Sequence, residues 1–348
     1  MSTNDTTTTT TSAMTTTITT LMTNITTSMT TASVSTSTAE AKTIVLDPWF
    51  LAITFIASFG INFFFYIFAC GLKMDKLTDI TYSMSFIALA VLAFCLGQTY
   101  YQQQIAMLVA ILLWALRIGG YLLTRIIKIG HDKRFDAYRS SWWRFGIFWF
   151  FQAVVVWLTF LPACLLFSDG TRYPWTWRES LGFTIFAVCL IGETVADQQK
   201  FAFRNNPAND KRWTDVGLWK WSRHPNFFFE IMLWWGLFIV ASVNFTGQEF
   251  KYFSLIGPFL LTMSILFFSG ITRLEEAADK RYWHEPAYQQ YKQQTSPLIP
   301  LPPAFFNAMP LIVKRVLFFE FPNYTYPQTK PPVADASKGQ TVKTPLLV

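Results

Sequence analysis

The stretch Trp219 to Glu230, WKWSRHPNFFFE, sets an arginine, a histidine, a proline–asparagine pair and an acid among tryptophans and phenylalanines. The apolar run IMLWWGLFIVASV follows at once. Ionisable groups at the mouth of an apolar helix are costly, so they mark a place where something polar is held. Pro225 suits the first turn of a helix, where its missing N–H leaves no partner wanting. The N–H groups after it point out of the helix start and favour an anion. Asn226 and Glu230, four residues apart, share one helical face, and Arg223 and His224 flank its entrance.

Three further sets carry groups of the same kind. In ETVADQQKFAFR, Glu193, Asp197 and Lys200 fall on one face. The two carboxylates can orient an arginine or hold a ribose hydroxyl, or close into a structural ion-pair network. Arg117 lies too deep in its apolar run to snorkel to an interface, and Thr124 and Arg125 extend a polar stripe along the same helix. The loop GHDKRFDAYRSSWWRF interleaves His131, Asp132, Lys133, Arg134 and Arg139 with aromatic residues. Three basic segments and a helix start thus converge on one pocket suited to a phosphorylated, multiply anionic cofactor.

The elements that position these groups follow from composition. The 348-residue chain is 52% hydrophobic and only 14% charged, well short of the quarter or so typical of soluble domains. Apolar runs recur at about 48–70, 80–97, 104–127, 146–168, 179–197, 226–243 and 253–271, each near the length that crosses a bilayer. The fold class is all-α: a polytopic membrane protein of about seven transmembrane helices. Lys and Arg crowd the loops after the first, third and fifth runs and thin out in the others. That bias puts the N-terminus outside or lumenal and the C-terminus in the cytosol.

Residues 1–42, nearly all Thr, Ser, Ala and Met, are expected to be a disordered tail. Residues 43–303 form the membrane domain, closed by a charged cytosolic helix after 271. Residues 304–322 read as an interfacial segment and 323–348 as a second disordered tail. Four scattered cysteines with no CxxC, and three histidines, support neither a disulfide framework nor a metal site. The net charge of +7 bears on topology and anionic ligands, and nothing resembles a nucleic-acid module.

The segments ETVADQQKFAFR, GLWKWSRHPNFFFE and SGITRLEE…YQQYKQQTSPLIPLPP together resemble the steroid 5-alpha-reductase C-terminal domain family, in particular its branch with the pattern GLWxYSRHPNYFGE. HDKRFDAYR is similar to that branch's EDxRYxxxR, and TDITYS to its VDxxWG, so the likeness covers about residues 75–303. Sterol C14/C24 reductases and isoprenylcysteine methyltransferases share the RHPxY core. The resemblance implies a seven-helix bundle holding NADPH near the cytosolic face and passing hydride to a polarised C=C bond of a membrane lipid. It implies that Asn226 and Glu230 sit beside the nicotinamide, that Asp197 and Arg204 contact the cofactor, and that Arg223 and His224 are the motif's basic pair. Tyr288 and Tyr291 fall where the tail closes over it. Phe227 and Phe229 replace the motif's Tyr and Gly. The first three runs also lack the Glu with which the steroid reductases polarise an enone.

The leading expectation is therefore an NADPH-dependent lipid C=C reductase in an endoplasmic-reticulum-type membrane. Tyr100, Tyr101 or Tyr121 would serve as proton donor, and Arg134, Arg139 and Lys200 would join the cofactor contacts. The alternatives are an S-adenosylmethionine-dependent isoprenylcysteine-type methyltransferase and a non-catalytic membrane scaffold.

Overall fold

The computed structural model describes residues 47–72, 77–129, 142–268 and 270–325. The tail at 1–42, nearly all of that at 323–348 and the loop bearing Arg134 and Arg139 lie outside the described residues. Among the described residues there is no strand, only an isolated bridge between Ser222 and Ser296. Seven segments there are long and apolar enough to cross a membrane. The first six are α1 (Leu51–Leu72), α2 (Leu77–Gly97), α3 (Gln102–Ile129), α4 (Trp142–Phe167), α5 (Trp177–Asn205) and α6 (Pro225–Ala241).

The seventh is composite. A 3-10 stretch, Glu249–Leu255, leads into α7 (Ile256–Met263) and a π turn at Ser264–Phe268, and α8 (Ile271–Tyr282) follows. The charged helix expected after 271 is thus two, α8 and α9 (Pro286–Gln294). The segment at 304–320 is also two short helices, α10 (Pro303–Ala308) and α11 (Leu311–Leu317), parted by Pro310. Helix α5 runs two turns past its expected end at 197, because QQKFAFR has strong helix formers and nothing stops the helix before Asn206 and Pro207. Its start is fixed by a capping box: Thr176 accepts from the Arg178 N–H, and Glu179 reaches back to the Thr176 N–H at 2.9 Å.

Inside lipid, helices gain little by hiding apolar faces from one another, so close fit and interhelical hydrogen bonds must hold them. Helices α5 and α6 meet through Gly182 and Gly236, where a Cβ on Gly182 would lie 2.6 Å from the Gly236 carbonyl oxygen. A polar seam joins α1, α2 and α4. Ser58 donates to Ala153 O at 3.0 Å, Asn62 to Ser58 O at 2.9 Å, and Gln152 to Asn62 Oδ1 at 3.1 Å.

Three rings knit α2, α3 and α6 at mid-bundle. Phe86, Trp114 and Trp234 lie with centroids 4.8 to 5.0 Å apart, and all three are buried. One helical turn from each ring, on the same face, the sequence places Tyr82, Arg117 and Glu230. Because α3 runs opposite to α2 and α6, all three steps lead towards the same end of the bundle, the end where α6 begins at Arg223. The aromatic layer is therefore the floor of a polar one.

Candidate functional site

The Arg223 end is built on the stretch that precedes α6. The Arg223 N–H donates to Ser296 O at 2.8 Å and the Ser222 hydroxyl to Leu298 O at 2.7 Å, so WSRH runs beside the tail SPLIP. Tyr291 donates to Trp219 O at 2.7 Å, and Tyr288 to Asp279 Oδ1 at 2.9 Å. Burial, with the acids around them, pushes both phenols up. These two tyrosines, expected where the tail closes over a cofactor, are tied into the packing of α8, α9 and the loop before α6.

Arg223 and His224 belong to a closed charge cluster. Arg223 lies 3.1 Å from Glu275, 3.0 Å from Glu320, and donates to Lys292 O at 2.7 Å. Lys292 in turn lies 3.0 Å from Glu275 and 2.6 Å from Asp279. His224 Nε2 meets Glu275 at 2.7 Å. Burial works against the Arg223 charge, but Glu275 and Glu320 outweigh it and hold the guanidinium charged. Burial pushes His224 down, and neutral His224 donates from Nε2, leaving Nδ1 buried with no partner. The structure thus gives Arg223 carboxylate partners within the chain, where a phosphate grip was expected.

The second cluster lies inside the bundle. Arg117 on α3 meets Glu193 at 2.5 Å and also pairs with Asp197, both on α5. Beside this group is a cavity of about 220 Å³ lined by Arg117, Tyr121, Thr124, Thr194, Asp197 and Gln198. The four-residue spacing that puts Glu193 and Asp197 on one face is what lets one guanidinium take both. Glu230 and Arg117 influence one another electrostatically, and Tyr82 feels the charges of Glu230 and Glu193.

Beside this cluster a polar group is left over. Asn226 is 7% exposed and its Oδ1 is buried without a partner, while Glu230 and Tyr82 are half-buried. Buried polar groups are nearly always paired, so Asn226 Oδ1, left without a partner, marks this corner of the bundle as the candidate site. Tyr82 is the residue that the sequence did not single out, although it stands in TDITYS.

The other expected residues are scattered. Tyr121 lines the cavity. Lys200 sits over the Trp219 ring at 4.6 Å. Arg204 donates to Arg212 O at 2.8 Å and to the Tyr282 hydroxyl at 3.1 Å, pinning the loop between α5 and α6. Tyr100 and Tyr101 are not brought to the site. They line a separate cavity of about 340 Å³ with Gln103, which lies 3.4 Å from Glu179 at the start of α5. Asp197 lies 18 residues further along that helix, about 27 Å away at 1.5 Å per residue.

The two phenylalanine replacements find local compensation. The Phe229 ring covers Gly192 on α5, where an added Cβ would lie 2.6 Å from it, so a glycine on the facing helix makes room for the ring. Phe227 stacks on His224 with centroids 5.8 Å apart.

Fold and site together define a seven-span membrane protein with a polar chamber at one end of the bundle. Residues 65–295 match the family described as "Protein of unknown function (DUF1295)", a steroid 5-alpha-reductase-like family, and the chain belongs to it. It is similar to an uncharacterized protein of Schizosaccharomyces pombe, 24% identical over 173 residues, which cover 43% of this chain and 47% of that one. The chain thus spans about half the length of this curated relative. No solved structure matches it.

Proposed function

We propose that this protein is a membrane-embedded, NADPH-dependent reductase of a polarised C=C bond in a lipid- or sterol-like substrate, with the Arg223 end facing the cytosol of an endoplasmic-reticulum-type membrane. The observation that supports the reading is Asn226 Oδ1, buried without a partner on the α6 face that carries Glu230 and, a turn further, Trp234 of the aromatic floor. A primary carboxamide offers two N–H donors and one acceptor. Asn226 Oδ1 and the Glu230 carboxylate would take the donors, and Asn226 Nδ2 would meet the acceptor. Asp197 and Gln198 line the adjoining cavity and suit ribose hydroxyls. Phosphate contacts would come from Arg134 and Arg139 and from Lys200, which sits over the Trp219 ring in the loop before α6.

NADPH supplies a hydride when bound. For the proton, the Tyr82 hydroxyl on α2, one turn above Phe86, would donate to the carbon beside the one reduced. Tyr121, at the cavity wall, is the alternative donor. Phe86, Trp114 and Trp234 close the chamber below and exclude water.

The engagement of Arg223 and Lys292 by carboxylates favours a phosphate-free cofactor, S-adenosylmethionine, as the second reading. Thermal unfolding of the purified protein with each ligand separates them. A cofactor at a hundredfold excess over its Kd stabilises by about 2.7 kcal/mol. A rise with NADPH that is lost in Asn226→Ala is the expected result. A rise with S-adenosylmethionine alone selects methyl transfer, and no rise with either leaves a scaffold.

A further inference from the structure

Residues 303–325 lie beyond the family match, which ends at 295, and form a strap held at both ends. At one end Phe306 is fully buried. At the other, Glu320 pairs with Arg223 at 3.0 Å, Tyr324 O accepts from Lys292 at 2.8 Å, and the Tyr324 hydroxyl donates to Leu266 O at 2.9 Å. Between these anchors the strap turns apolar side chains outward: Phe305, Leu311, Ile312, Val316 and Leu317 are 55 to 67% exposed. A patch of that kind on a water-facing surface marks a contact.

Two observations say what covers it. Phe321 lies against Phe267 with centroids 5.1 Å apart, and Phe268 beside it is exposed, so the strap joins the lipid-facing surface of the seventh span at its Arg223 end. Lys314 and Arg315 also stand within the apolar run, the charges that suit lipid phosphates at an interface. Lys314 folds over the Phe306 ring at 4.7 Å, and Arg315 is exposed.

We propose that α10 and α11 lie in the membrane interface at the Arg223 end, their exposed apolar side chains entering the leaflet and Lys314 and Arg315 meeting anionic lipid phosphates. The strap is then a lipid-seated clasp, and its Glu320 ties the leaflet to the Arg223 cluster. This holds whether or not the protein is a reductase.

The test uses the full chain in nanodiscs of phosphatidylcholine and phosphatidylglycerol, with the four native cysteines replaced by serine. A nitroxide is placed at Ile312→Cys, at Val316→Cys, and at Asp210→Cys on an exposed loop. Oxygen collisions are expected to exceed those with a water-soluble nickel chelate several-fold at 312 and 316, with the reverse at 210. Nickel-dominated collisions at 312 and 316 would overturn the proposal. So would dipolar broadening at 312 that vanishes on spin dilution, since a second copy of the chain would then cover the patch. Carbene footprinting of the unmodified chain with a lipid-soluble diazirine asks the same without substitutions. Labelling of 305–317 supports the clasp, and labelling confined to the seven spans contradicts it.

Discussion

Two charge clusters lie near the same end of this bundle, and they are built on opposite principles. Around Arg223, the cations Arg223 and Lys292 meet Glu275, Asp279 and Glu320, and the elements joined are distant in sequence. Around Arg117, the guanidinium is paired with Glu193 and Asp197, but Asn226 Oδ1 on α6 is buried without a partner and a cavity adjoins Arg117 and Asp197. The Arg223 network matches its cations to carboxylates within the chain, leaving His224 Nδ1 over. Such matching rigidifies, whereas an unpartnered buried group is costly unless something else completes it. The difference separates what holds the site from what the site is for, although in sequence the motif residues Arg223 to Asn226 are contiguous.

Substitutions can break that contrast. Glu275→Gln has the largest expected effect, because one carboxylate serves Arg223, His224 and Lys292 at once. Leaving buried cations uncompensated costs about 3–5 kcal/mol, read as loss of unfolding free energy in detergent. Glu230→Gln is expected to change stability by less than about 1 kcal/mol, since it breaks no pairing hydrogen bond, while abolishing stabilisation by cofactor. Equal losses from the two substitutions would erase the distinction.

Gly192→Ala comes next, at about 1–3 kcal/mol, because the new methyl meets the Phe229 ring. Adding Phe229→Ala should return part of that loss, and a double-mutant cycle with no coupling would show that the ring does not need the glycine. Glu320→Gln should cost less than Glu275→Gln, about 1–3 kcal/mol, since Arg223 keeps Glu275 as a carboxylate partner.

The smallest effect is a pH slope. The pKa of His224 is lowered on folding by burial, so the unfolded chain binds its proton more readily. Its contribution to stability is present above the ordinary histidine value of about 6.5 and is lost as pH falls from there towards the folded value. His224→Gln should flatten that part of the stability profile. An unchanged slope would mean that another group carries it.

Much of the frame was legible in the sequence. Seven apolar runs gave seven spans, and the depth of Arg117 and the spacing of Glu193 and Asp197 foretold polar groups facing inward. What pairs with what was not legible, because partners of Arg223 lie 52 and 97 residues away, and helix spacing says nothing about such distances. Tyr82 escaped notice for a similar reason: it is one of three aromatic residues on α2 until Phe86 packs on Trp234 and sets it at the level of Glu230. Tyr100 and Tyr101 drew attention as polar rings near an apolar run, but chain direction sends them to the far end of the bundle. The Phe229 replacement looked like a defect in one segment, and its remedy, Gly192, sits in another.

The central claim is that Asn226 and Glu230 recognise a carboxamide. It is tested most directly by comparing equilibrium binding of NADPH with that of its acetylpyridine analogue, which keeps the phosphates and ribose but lacks the amide N–H groups. The wild-type chain should favour NADPH by about tenfold or more, equivalent to about 1.4 kcal/mol, and Asn226→Ala should remove the preference. Equal affinity for the two ligands, or a preference that survives Asn226→Ala, would contradict it.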